Sequence, residues 1–222
     1  DSNIKGHLNI LELAKDKKSD LIYASSSSVY GNKANFQSDE DSITDQPLSI
    51  YGTTKKTCEM LSQNYFDNYG VNQVGLRFFT VYGRFGRPDM AYWLFTKASR
   101  ESKPIEIYGD GKKKRDFTHI TDIVEAIKKI IDKKFTSHNI YNVGRNDPKD
   151  INFLANFISS KFNNAANIIY SNEINEDVDC TLASINKLNK YIDFKPRISF
   201  EDGMEDFIDW FKKDYESIKT FK

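Results

Sequence analysis

Cysteine is scarce. There are two in 222 residues, Cys58 and Cys180, and they form no motif. That speaks against a disulfide framework and fits a reducing, cytoplasmic setting, with Cys58 expected as a small core residue. Net charge is absent too, since 32 Lys+Arg balance 32 Asp+Glu. No long tract of one sign stands out, which argues against a nucleic-acid partner held by a broad basic surface. The run Lys112-Lys113-Lys114 reads as a solvated turn. No apolar run approaches the roughly 20 residues that a membrane helix needs, and no signal peptide is visible. No metal-ligand cluster, internal repeat or low-complexity segment is apparent. The length suffices for one good core, or for a large and a small lobe.

Hydrophobic periodicity alternates between helix and strand. Helices are expected over 2–16, 50–69 and 90–102, and again around Ile120–Ile131 and Ile151–Ile158. Gly70 suits the stop of the second helix. Ser184 is expected to cap a short helix, and Ser199 the last one, with Phe207, Ile208 and Phe211 on its inner side. Strands are expected at 21–25, 74–79, 104–108, 139–143 and 168–170. Such alternation predicts parallel pairing and an α/β architecture.

Within this frame the most telling stretch is Tyr51-Gly-Thr-Thr-Lys55. On a helix, residues four apart share a face, so a phenol stands beside a permanent cation. The cation favours phenolate and lowers the tyrosine pKa from its usual value of about 10. Such a tyrosine can exchange a proton with a sugar hydroxyl near neutral pH. The plain alternative is an exposed Tyr and Lys on a solvated helix. Upstream, Ser25 to Ser28 fall where the strand Leu21–Ala24 ends. Ligands in open α/β sheets bind outside the carboxyl ends of strands, so a hydroxyl there can hold the same substrate oxygen. A flexible polar linker is the alternative for this run.

These residues bring a family into view. Ala24-Ser-Ser-Ser-Ser-Val-Tyr-Gly31, Tyr51-Gly-Thr-Thr-Lys55 and Leu76-Arg-Phe-Phe-Thr-Val-Tyr-Gly83 resemble the extended short-chain dehydrogenase/reductases. With Gly86-Arg-Pro-Asp-Met90, Ile107-Tyr-Gly-Asp-Gly111 and Lys114-Arg-Asp-Phe117 they look like the UDP-glucuronate 4-epimerases. The resemblance runs from Asn3 to about Phe211. It implies part of a Rossmann-like, doubly wound parallel sheet plus a small α/β C-terminal substrate lobe. Residues 1–83 would belong to the NAD-binding domain and 84–222 mainly to the sugar-nucleotide lobe, with about 112–145 returning to the first domain. The family's glycine loop, which holds the NAD pyrophosphate at a helix N-terminus, has no counterpart here. The chain begins at Asp1 inside a helical pattern, so the first part of the dinucleotide-binding domain is expected to be missing.

The resemblance also implies chemistry and roles. Inverting a carbinol carbon breaks its C–H bond, and no side chain removes hydride, so NAD carries that step. Tyr51 is then the base, Lys55 the cation that also binds the nicotinamide ribose, and Ser26 the hydroxyl that orients the substrate oxygen. Asn3 and Phe78 fall at cofactor positions, although Asn3 is equally suited to capping a helix. Ser27, Ser28 and Thr80 would hold a sugar carboxylate; galactose-type epimerases carry asparagine at the place of Thr80. Arg87 and Arg115 suit the diphosphate, because guanidinium forks match phosphate oxygens. For Arg115 an ion pair with Asp110 or Asp116 competes. Tyr108 is either a wall of the uracil pocket or strand core. Asp177 matches a carboxylate facing the ribose, or belongs to a solvated acidic loop.

Related lyases differ in the serine run. Sugar 4,6-dehydratases place acidic residues there, and UDP-glucuronate decarboxylases and GDP-mannose dehydratases place Glu immediately before Val/Leu-Tyr-Gly. No acid lies between Ser25 and Val29. The expectation is therefore a UDP-hexuronate 4-epimerase acting as a homodimer, through extra apolar surface on the helices at 51–69 and 90–102. A related dehydratase or decarboxylase, and a non-catalytic nucleotide-sugar binding module, are the competing readings.

Overall fold

The computed structural model describes residues 1–32, 37–162, 167–172 and 178–218. Strands β1 (Leu21–Ser26), β2 (Gln73–Phe78) and β6 (His138–Val143) form a parallel sheet in the order β1-β2-β6. β2 is buried from Gln73 to Arg77, as expected of a central strand covered on both faces. Its side chains divide by alternation. Val74 and Leu76 join the core under α4 (Ile120–Lys133) and α6 (Asn186–Ile192). Gln73 and Arg77 face α2 (Ile50–Tyr69) instead, bonding Ser62 and Glu59. There α1 (Ile4–Lys17) packs on α2 through Leu11, Ala14 and Tyr65.

A second core lies beyond. The short strand β3 (Thr80–Tyr82) pairs in parallel with β5 (Lys114–His119), and β5 pairs antiparallel with β7 (Pro148–Asp150). Strands β4 (Ile105–Tyr108) and β8 (Ile168–Ser171) form a two-stranded parallel sheet. Helices α3 (Ala91–Arg100), α5 (Ile151–Ser160) and α7 (Phe200–Ile218) close over an aromatic core that includes Tyr82, Tyr92, Phe117, Phe200, Phe207 and Phe211.

Local chemistry explains the helix limits. Ser49 Oγ accepts from the Gly52 N–H at 3.0 Å and starts α2. Gly70, at φ 66°, ends it by returning its N–H to Phe66 O. Ser199 Oγ accepts from Asp202 N, as expected for the last helix. Ser184 does not cap. α6 begins at Asn186, after Ile185, while Ser184 is buried with its N–H on Ser38 O and its carbonyl accepting from Asn142. β3, β5 and β7 lie outside the strands that the sequence pattern predicts. Each is short or rich in polar residues, and pairing with distant partners makes it a strand. Lys114 accordingly opens β5 rather than lying in a turn. Asn3 precedes α1 but makes no side-chain cap. Among the described residues, no helix is long and apolar enough to cross a membrane.

Candidate active site

Ser26, Phe78 and Val143 lie in one register at the carboxyl ends of the three parallel strands. Ser26 ends β1 in an extended conformation, and its Oγ accepts from Ser28 N at 3.2 Å. That bond starts a single 3-10 turn, Ser27–Tyr30. Ser26 Oγ and Ser28 Oγ lie 3.1 Å apart, so the serine run is a compact hydroxyl cluster rather than a linker.

α2 meets this turn head-on. A Cβ at Gly52 would stand 2.5 Å from Ser28 O, so only glycine lets the helix come this close. Gly31 closes the turn at φ 66°, where a Cβ would meet Gln46 O at 2.2 Å. Beside Gly52, Tyr51 is 47% exposed. Lys55 Nζ lies 5.8 Å from that ring's centroid and donates to Ala24 O at 3.0 Å, the residue just before the serine run. One turn of helix and one strand end thus bring Tyr51, Lys55 and Ser26 to one place. Asn3 joins from α1, with its Nδ2 donating to Thr54 Oγ1 at 2.9 Å. Cys58 is buried on the same helix and its thiol points at Asn3 O.

Next to the turn is a cavity of about 110 Å³ lined by Ser27, Ser28, Tyr30, Phe79 and Thr181 among others. Thr80 follows Phe79 and opens β3. A hollow of about 360 Å³ adjoins residues 81–87, with Arg87 on its wall. Arg87 forms an exposed ion pair with Asp89, and both side chains are well solvated.

The other expected binding residues lie on the second lobe. Tyr108 ends β4 and is 52% exposed, so it is not strand core. Arg115 lies on β5, where its Nη1 donates to Lys114 O. Its two suggested ion-pair partners are engaged elsewhere. Asp110 bonds Lys112, and the buried Asp116 accepts backbone N–H groups from Arg145, Asn146 and Ala183. Burial pushes the Asp116 carboxyl up despite those bonds. Asp177 lies outside the described residues.

Beneath the turn lies a polar layer that residue spacing alone does not reveal. Glu59 and Arg77 pair there, with Ser25 and Tyr30 bonded to them. Glu59 stands four residues after Lys55, and that continued spacing was the available signal.

The sequence model for the NAD dependent epimerase/dehydratase family matches residues 1–144. The chain belongs to that family. This epimerase/dehydratase chain is 42% identical over 227 residues to a UDP-glucuronate 4-epimerase of Thermodesulfobacterium geofontis, covering 100% of itself and 68% of that enzyme. It is 39% identical over 211 residues to an uncharacterized protein of Methanocaldococcus jannaschii, covering 95% of itself and 64% of that protein. The chain thus spans between 54% and 70% of the length of the curated relatives it matches. Among solved structures it resembles UDP-glucuronic acid 4-epimerase from Bacillus cereus in complex with UDP-glucuronic acid and NAD. There the TM-score is 0.90 and the identity 33%, over 95% of this chain and 67% of that one.

Proposed function

We propose that this chain carries the catalytic face of a nucleotide-sugar 4-epimerase that inverts C4 of a UDP-hexuronate, UDP-glucuronate or UDP-galacturonate, through a 4-keto sugar with NAD. One observation carries the reading. Lys55 is bonded to Ala24 O, two residues before the end of β1, and lies beside Tyr51, while the hydroxyl cluster headed by Ser26 follows on that strand. The matched family is NAD-dependent, and the relatives' UDP-sugar chemistry supports the substrate class.

The residues present fit the nicotinamide end of NAD. Lys55 spends one of its three ammonium protons on Ala24 O, which leaves donors for ribose hydroxyls. Phe78 stands at the strand end beside Ser26, and Asn3 is held by Thr54 where α1 begins. When bound, NAD supplies the removal and return of hydride at C4, which no side chain can perform. Tyr51 accepts the C4 hydroxyl proton and later gives it back. Ser26 holds the same oxygen by hydrogen bond. Lys55 balances the charge left on the phenol oxygen. The 4-keto sugar turns about its pyrophosphate linkage between the two transfers.

Ser27, Ser28 and Thr80 take the sugar carboxylate, Arg87 and Arg115 the diphosphate, Tyr108 the uracil and Asp177 the ribose. Residues 1–83 with 112–145 serve the cofactor, and the rest of 84–222 serves the sugar nucleotide. Dehydration would need an acid over the sugar, and the turn offers only hydroxyls. The homodimer belongs to the same proposal. α1 leaves Ile4, Leu8, Ile10 and Leu13 exposed, and α2 leaves Met60 and Tyr69. α3 contributes Leu94 alone, because Tyr92, Trp93 and Phe95 turn inward.

The test is Tyr51→Phe in the protein that carries this chain, assayed for interconversion of UDP-glucuronate and UDP-galacturonate. Turnover falls at least about a hundredfold, the scale of lost acid/base catalysis. Near wild-type turnover would end the reading.

A further inference from the structure

The polar layer under the serine turn takes no part in the chemistry proposed above. Glu59 and Arg77 are each 2% exposed. Arg77 grips the Glu59 carboxylate with two prongs, Nε to Oε1 at 2.8 Å and Nη2 to Oε2 at 2.9 Å. Ser25 Oγ donates to Glu59 Oε1 at 2.7 Å. Arg77 Nη1 donates to Tyr30 OH at 2.9 Å, and that hydroxyl donates to Asn142 Oδ1 at 2.7 Å. The guanidinium also lies over the Tyr30 ring, 4.8 Å from its centroid. Ser25 precedes Ser26, and Tyr30 is the last residue of the turn. One ion pair therefore holds the turn at both ends.

A pair this enclosed is a weak source of stability, because desolvation offsets its attraction. What the two-pronged fork supplies is fixed geometry. Tyr51, Lys55 and Glu59 stand at i, i+4 and i+8, on one stripe of α2. Moving along that part of α2, Gly52 meets Ser28 O, Lys55 bonds Ala24 O and Glu59 bonds Ser25 Oγ. Each contact ties the helix to the strand end or to its turn.

We propose that Glu59 and Arg77 are positioning residues. Through Ser25 and Tyr30 they hold the serine turn at a fixed distance from α2, so that Ser26 and Tyr51 reach the same substrate oxygen. The inference rests on the proton-transfer roles proposed for those two residues.

Removing Glu59 itself would strand a buried cation, so the test cuts the pair's links to the turn instead. Ser25→Ala and Tyr30→Phe, singly and together, leave the ion pair intact. Two measurements are compared with wild type in the protein that carries this chain: amide hydrogen exchange, and steady-state turnover of UDP-glucuronate with NAD. Exchange should speed about tenfold across residues 26–31, with β2 and β6 unchanged. Turnover should fall about 10- to 100-fold, the usual cost of a misplaced catalytic group, while KM for UDP-glucuronate stays within about threefold. Unchanged exchange in the double variant overturns the clamp. Faster exchange with wild-type kcat overturns the positioning role. A wild-type protein with no turnover would retire the epimerase reading, and the exchange comparison would still decide whether the clamp exists.

Discussion

Gly52→Ala tests whether the approach of α2 to the serine turn is functional or incidental. The added Cβ would lie 2.5 Å from Ser28 O and 3.1 Å from Pro47 Cβ, where ordinary contact begins at 3.4 Å. Relief requires the helix start and the turn to part by most of an ångström, because Ser28 O is backbone and cannot swing aside. Overpacking of this kind costs about 1–3 kcal/mol. Alanine returns about 1 kcal/mol in helix propensity. The net loss is then about 0–2 kcal/mol, which lowers Tm by at most about 8 °C in a chain of this size. Catalysis is more sensitive, since a misplacement of about 1 Å can cost a hundredfold in rate. The variant should fold and lose about two orders of magnitude in epimerisation. Gly70→Ala is the control. Its φ of 66° makes alanine strained, but nothing lies within 4 Å of the added Cβ. It should cost about 1–2 kcal/mol of stability and leave turnover per folded molecule intact. Gly52→Ala with activity within about threefold of wild type would show that Tyr51 does not depend on this contact.

Lys55→Met removes the ammonium that bonds Ala24 O and lies beside Tyr51, and turnover should fall about a hundredfold with weaker NAD binding, read by calorimetry. Stability should decline below about pH 6.5. His7, His119 and His138 are all held below the usual histidine value, chiefly by burial. Their contribution is present above about pH 6.5 and is lost as pH falls through the lowered native values, because unfolding then takes up protons. The slope approaches about 1.4 kcal/mol per pH unit for each histidine. Glu40 and Asp116, raised by burial, act with the opposite sign in the carboxylate range, gaining stability as pH falls through their raised native values. A Tm that holds constant from pH 7.5 to 5.5, or that falls as steeply in His7→Asn and His138→Asn, would sink this account. The exposed apolar side chains of α1 and α2 predict a homodimer by light scattering at low micromolar concentration, and a clean monomer would remove it.

The legible parts of the sequence were those with local causes. The expected range of α2, with its left-handed stop at Gly70, matches the bounds found. The Tyr51–Lys55 spacing needed only helical geometry, and the serine run needed only its place at a strand end. What stayed hidden was set by distant partners. β5 begins Lys-Arg-Asp, which no propensity marks as strand, and β3 and β7 on either side make it one. Ser184 carries a capping residue's chemistry, but Ser38 and Asn142 claim its backbone. The helical spacing from Lys55 marks the face on which Glu59 lies, but its partner Arg77 stands 18 positions further on, on a strand that local spacing does not connect to it.

The order of the parallel sheet has a consequence for how the molecule assembles. β2 waits for β6, whose first residue pairs with Gln73 from 65 positions further on, at His138. In between, the chain leaves to build β3, α3, β4, β5 and α4. Pairing over such a separation is slow, and until it happens β2 presents a bare apolar edge. β6 also brings Asn142, which accepts the Tyr30 proton and closes the layer under the serine turn. The layer that braces the serine turn is therefore incomplete until β6 has paired. A chain halted before residue 138 would expose an aggregation-prone edge and, with it, an unformed site.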